Sequence, residues 1–121
     1  MLLTDFYTIN TLENTAGKAI ATITINKNHP IFEGHFPGNP VTPGVCMMQI
    51  IKELTEQVVE KKLFMAAAVN VKFMAIINPE KTPNLELTLD IEETENGFRV
   101  KNITTFNETV ALKLTTHYTV I

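Results

Sequence analysis

HPIFEGHFPGNPVTPGVCMMQIIKELTEQVVE, running from His29 to Glu60, decides the fold, because it reads as a stiff loop handing over to a long helix. Pro30, Pro37, Gly38, Pro40, Pro43 and Gly44 crowd its first half. Backbone so dense in fixed and permissive angles turns sharply and holds its side chains in place. Proline is tolerated in a first helical turn, where its missing N–H would find no partner anyway, so the helix begins at about Pro43 to Val45 and runs to about Glu60.

The first two turns of that helix, Val45 to Ile51, are apolar on nearly every face, which predicts a buried start. From Lys52 onward Leu54, Val58 and Val59 keep an apolar side, while Lys52, Glu53, Glu56, Gln57 and Glu60 supply a wet one. The expectation is a deep N-terminus and a shallow C-terminus. A buried helix start leaves N–H groups at Gly44 and Val45 with the positive end of the macrodipole behind them. They need an acceptor, and a substrate oxygen would serve.

Strands surround this stretch. Phe6 to Ile9 and Lys18 to Ile25 are rich in β-branched and aromatic residues, with Asn10 to Gly17 read as the loop between them. Leu63 to Ile77 carries no charge except Lys72, which fits a central strand buried over much of its length. A two-proline turn from Asn78 to Pro83 ends it. Leu85 to Glu92 alternates apolar and polar without error, as a strand with one wet face does. Glu95 to Gly97 is a hairpin turn, and Phe98 to Phe106 and Val110 to Ile121 complete an antiparallel run around Asn107 and Glu108. Two strands, one helix and four strands predict an α+β fold, a curved antiparallel sheet of about six strands wrapped around one long central helix. Its small core predicts a dimer, with long strands paired edge to edge across a two-fold axis.

The totals agree with that reading. A chain of 121 residues is expected to form one domain, residues 1–121. A net charge of −3 gives no reason to expect nucleic acid, and no run approaches the length of a membrane span. The start, Met1 to Phe6, lacks the pattern of a signal peptide, so the protein is expected to be cytoplasmic. Cys46 is the single cysteine, which excludes an internal disulfide.

The segment Gly34-His35-Phe36-Pro37-Gly38-Asn39-Pro40-Val41-Thr42-Pro43-Gly44-Val45 closely resembles the G-H-F-P-G-x-P-x-x-P-G motif of the β-hydroxyacyl-acyl carrier protein dehydratases, which have the hot-dog fold. Val71 to Phe73 resembles more loosely the family's central strand, and Pro79 the turn after it. The resemblance implies the reversible dehydration of a (3R)-3-hydroxyacyl thioester to the trans-2-enoyl form. In that family a loop histidine takes the α-proton, an acid on the central helix of the other subunit handles the hydroxyl, and a backbone N–H at the helix start polarises the thioester carbonyl. By position His35 is the base and Gly44 the carbonyl donor, with Pro37, Gly38, Val45 and Gln49 against the substrate and Phe36 either packed beside the thioester or anchoring the loop.

These roles make chemical sense. An imidazole titrates near neutral pH and can take and return a proton there. Charge built on the thioester oxygen is stabilised by a preoriented N–H at a helix start. The chain departs from the family at the helix acid, whose position is held by Gln49, while Glu53 stands one turn on where a glutamine is common. Residues four apart lie about 6 Å apart on one helix face. Glu53 is therefore the candidate proton donor, directly or through a water held by Gln49; the plainer reading places it in an exposed stripe with Lys52, Glu56 and Glu60.

Other residues carry less. Cys46 near the helix start reads as a small buried side chain more than a nucleophile. Met47, Met48, Met65 and Met74 could line an acyl tunnel or simply fill the core. His29, His35 and His117 are too far apart in the chain for a metal triad, so neither metal nor cofactor is expected. Lys61, Lys62 and Lys72 could meet an acidic acyl carrier protein, though cations also suit a helix C-terminus. The implied partners are an acyl carrier protein or coenzyme A thioester and a second hot-dog chain, as a homodimer, a higher oligomer or a heterodimer. A hot-dog thioesterase and a non-catalytic acyl-binding subunit remain as alternatives.

Overall fold

The computed structural model describes residues 5–34 and 38–121, so His35, Phe36 and Pro37, to which the sequence assigns roles, lie outside the described residues. Six strands form one antiparallel sheet: β1 (Tyr7–Thr15), β2 (Lys18–Ile25), β3 (Leu63–Phe73), β4 (Asn84–Glu93), β5 (Gly97–Phe106) and β6 (Thr109–Val120). Their spatial order is β1-β2-β4-β5-β6-β3, which leaves β1 and β3 at the edges. A short helix, α1 (Ile31–Gly34), interrupts the Pro/Gly-rich loop, and the long helix α2 (Gly44–Val59) follows it.

Local chemistry sets the hairpins. The predicted loop from Asn10 to Gly17 is instead strand as far as Thr15, because Ala16 and Gly17 alone make the turn, with φ of 52° and 86°. Two positive φ angles in succession suit a two-residue hairpin whose twist matches its strands. Asn107 and Glu108, with φ of 46° and 65°, repeat the device between β5 and β6. Gly97 admits no side chain, since a Cβ there would run into the Tyr118 carbonyl of β6.

The core lies between the inner sheet face and one face of α2. Met47, Ile50, Ile51 and Leu54 recur at helical spacing and are fully buried. They meet Ala21 and Ile23 of β2, Leu87 and Leu89 of β4, Val100 of β5, and Leu112 and Tyr118 of β6 in one cluster. The helix therefore does not run from a deep end to a shallow one: Val45 at its start is 58% exposed, and Leu54 and Thr55 in its second half are buried. Burial follows the face and not the end, because a helix lying along a sheet buries one stripe over its whole length.

β3 corrects a second expectation. It is an edge strand, and most of it is exposed, including Phe64, Val69, Val71 and Phe73. The lack of charge had suggested burial within the chain. What it marks instead is an apolar strand that its own chain leaves uncovered.

Candidate active site

Pro43 is extended, with φ −63° and ψ 143°, and its carbonyl accepts the N–H groups of Cys46 and Met47 at 3.0 and 3.3 Å. Helical bonding thus begins beyond Gly44 and Val45, and no side chain caps this end. Among the described residues neither of those two N–H groups donates to an acceptor. The loop behind them is tied down, since Thr42 N–H donates to the Ile77 carbonyl at 2.9 Å. On the other side stands Phe73, so close that a Cβ on Gly44 would come within 2.7 Å of its Cζ. Glycine is thus what lets the edge strand close over the helix start. Gly38, with φ of 84° and open space around it, supplies a turn in the same loop.

On the open face of α2 Val45, Gln49, Lys52 and Glu56 follow one another at helical spacing, and Glu53 lies beside them. Gln49 and Glu53 are half-buried, so Glu53 does not belong to a freely exposed stripe. Both carboxylate oxygens of Glu53 are engaged: the Gln49 amide Nε2 donates to Oε2 at 3.0 Å, and the Tyr7 hydroxyl donates to Oε1 at 2.8 Å. Lys52 and Glu56 form a separate ion pair at 3.5 Å, and Glu60 is exposed at the left-handed C-cap.

Tyr7 is the residue that sequence reasoning missed. It lies 46 positions from Glu53, and no spacing rule joins β1 to α2. Burial first, then the hydrogen bond to Glu53 and its charge, hold the Tyr7 phenol well above the ordinary range, so it remains a donor.

Gln49 and Glu53 come together as expected. Neither comes to Gly44: Glu53 is nine residues along, roughly 13 Å of axis and half a turn round the helix. A groove of about 380 Å³ opens beside Glu53, lined also by Glu56, Gln57, Glu60, Lys61 and Lys62. All of these side chains end in charged or amide groups, with their methylene stems turned into the groove wall as well. Met47 is fully buried, Met48 and Met65 are partly buried, and Met74 is 49% exposed, so the four do not share one wall. Cys46 is buried, its thiol pushed up by desolvation, as a packing residue's would be. His29 is used locally: its Nδ1 accepts the Ile31 N–H at 3.1 Å, and its ring meets Phe6 edge-on. Among the described residues no cluster of three His, Cys, Asp or Glu side chains could hold a metal ion. Nor, among them, is any helix long and apolar enough to cross a membrane.

Residues 11–112 match the family model described as ApeI-like, ApeI dehydratase. The 3-hydroxyacyl-[acyl-carrier-protein] dehydratase FabZ of Rickettsia felis is 32% identical over 108 residues, covering 83% of this chain and 68% of that one. Its counterpart in Rickettsia akari is 32% identical over 111 residues, covering 84% and 72%. Among solved structures, the dehydratase heterocomplex ApeI:P from Xenorhabdus doucetiae aligns with a TM-score of 0.79 at 18% identity, over 93% of this chain and 96% of that one. A hypothetical thioesterase with coenzyme A from Streptococcus pneumoniae TIGR4 aligns at 0.70 and 12% identity, over 99% and 91%. The fold is the expected hot-dog, which dehydratases and thioesterases share, and the sequence matches separate the two. With its P-G-V helix start and its histidine loop inside the matched span, the chain belongs to the ApeI-like dehydratase family.

Proposed function

We propose that the protein catalyses the reversible dehydration of (3R)-3-hydroxyacyl thioesters to trans-2-enoyl thioesters, with the acyl group on an acyl carrier protein, as a cytoplasmic enzyme of fatty-acid or related acyl-chain synthesis. The observation that supports the proposal is the helix start: two N–H groups, at Gly44 and Val45, that among the described residues donate to no acceptor and that follow the histidine loop in sequence. In this reading His35 takes the α-proton, and the Gly44 N–H stabilises the negative charge that then builds on the thioester oxygen. Loss of the β-hydroxyl follows. Glu53 supplies the proton with which it departs as water, and Gln49 orients the hydroxyl. Phe36, Pro37, Gly38 and Val45 line the approach.

The separation of Gly44 from Glu53 along one helix argues for a centre shared between two chains, each lending the part the other cannot reach. The edge strand β3 supplies the means, being apolar, exposed and 11 residues long. An open edge of that kind is a template for pairing. The second chain is another copy, or a different hot-dog chain, the dehydratase named above being a heterocomplex, and each copy folds as one domain over residues 1–121.

The test is hydration of a crotonyl thioester by the purified protein. Hydration by the wild-type chain, abolished in His35→Ala and reduced at least tenfold in Glu53→Gln, is the expected result. Release of free thiol instead would convert the assignment to a thioesterase. Full activity in Glu53→Gln would remove Glu53 from the chemistry.

A further inference from the structure

Tyr7, Glu53 and Gln49 form a chain of hydrogen bonds in which the carboxylate accepts from both sides. The Tyr7 phenol has a single hydrogen to give, and it gives it to Glu53 Oε1 at 2.8 Å. Ionised, Glu53 also accepts through its other oxygen, so the Gln49 amino group faces the carboxylate at 3.0 Å. The remaining end of that amide, its carbonyl oxygen, is turned away from Glu53. A proton on Glu53 would reverse the arrangement: the carboxyl would donate to the amide oxygen, and the amino group would swing outward.

We infer that Tyr7 is a positioning residue for the reaction, acting through Glu53 to set which end of the Gln49 amide meets the substrate hydroxyl. This rests on the dehydratase reading above. With Glu53 ionised, Gln49 offers an acceptor, which suits an incoming water or a bound hydroxyl. With Glu53 protonated, Gln49 offers a donor that holds the hydroxyl, and the carboxyl then passes its own proton to that hydroxyl as the C–O bond breaks and water leaves. Proton occupancy and amide direction thus change together. A lone glutamine in the family's acid position gains in this way a dependence on protonation that it lacks by itself.

The charged and polar groups around Glu53 belong to two elements and the segment after the helix. Tyr7 comes from β1, Gln49, Lys52, Glu56 and Gln57 from α2, and Glu60, Lys61 and Lys62 from the helix end. Of these, Tyr7 and Gln49 bond to the carboxylate, and Lys52 is engaged with Glu56.

The experiment is the pH dependence of crotonyl thioester hydration in Tyr7→Phe, which keeps the ring and deletes the hydroxyl. Expected are a fall in kcat of about tenfold with KM changed less than about twofold, which marks an interaction made in the transition state. The acid limb of the kcat profile moves to higher pH, because the ionised carboxylate has lost a donor. In a Glu53→Gln background the same substitution changes nothing further, as coupled residues require. In Gln49→Glu, which places a carboxyl at the family's own position, the rate no longer depends on Tyr7. An equal loss in all backgrounds, or an unmoved profile in an active enzyme, would overturn the inference alone. A wild-type protein that hydrates no thioester would overturn the dehydratase reading and this inference together.

Discussion

The two faces of α2 divide the labour of the molecule. Met47, Ile50, Ile51 and Leu54 on one face are sealed against the sheet, whereas Val45, Gln49, Lys52, Glu53 and Glu56 on the other are partly or largely open in a single chain. The first face is a packing surface, where volume and shape are what count. The second mixes an exposed valine with a carboxylate clamped by two donors, a combination that packing alone would not select. The lesson is that substitutions on the buried face should change how much protein is folded, and those on the open face what the folded protein does.

The largest effect expected from this division is Leu54→Ala, which empties a fully buried site and costs about 2 to 5 kcal/mol of stability. Chemical denaturation measures it, and kcat of the protein that remains folded should stay near wild type. A large fall in that kcat would mean the two faces are not separable. Next is Gly44→Ala. The new Cβ would press on the ring of Phe73, which is 54% exposed and can yield, so the fold survives while the helix start shifts. A fall in hydration rate of about tenfold, near 1.4 kcal/mol of barrier, is expected, and Phe73→Leu should restore part of it. An unchanged rate would show that the Gly44 N–H is not used.

Tyr118 sharpens the comparison from the sheet side. Burial pushes its phenol up to about 12; the neighbouring Thr116 hydroxyl opposes the rise without meeting hydrogen-bond geometry, and the Glu56 charge adds to it. Among the described residues the Tyr118 hydroxyl has no hydrogen-bond partner. A phenol whose folded pKa lies above its ordinary value of 10 contributes stability that is intact below about pH 10 and is lost as pH rises toward 12. Tyr118→Phe should flatten that alkaline loss and change neutral stability by about 1 kcal/mol or less, since an unsatisfied polar group disappears. Denaturation midpoints at pH 8 and about pH 11 test it; an unaltered alkaline slope would place the titrating group elsewhere. The smallest effect belongs to Lys52→Met, which breaks the half-buried pair with Glu56 one turn along the helix and should alter stability by about 0.5 kcal/mol. Hydration should be unaffected, which would confine the chemistry of the open face to Gln49 and Glu53.

Much of the fold was legible in the chain. The helix bounds followed from Pro43 and Gly44 at one end and the change of pattern at the other, and the alternation in Leu85 to Glu92 placed β4 directly. The polar run Asn10 to Thr15 misled because an edge strand with a wet outer face looks like a loop until its partner is known. β3 misled in the opposite sense: an uncharged run reports that water is unwelcome, but not which chain will exclude it. The pairing of Gln49 with Glu53 was readable from a spacing of four along a helix, and the hydrogen bond from Tyr7 was not, since its partner is distant in sequence.

One further consequence follows from how β3 is fastened. At its first residue the Leu63 N–H donates to the Glu56 carboxylate at 2.8 Å, and at its last the Phe73 ring rests on Gly44. The strand is therefore moored to opposite ends of the helix, like a string tied to both tips of a bow. A neighbour that straightened or bent that strand would be expected to pull on the helix start as well.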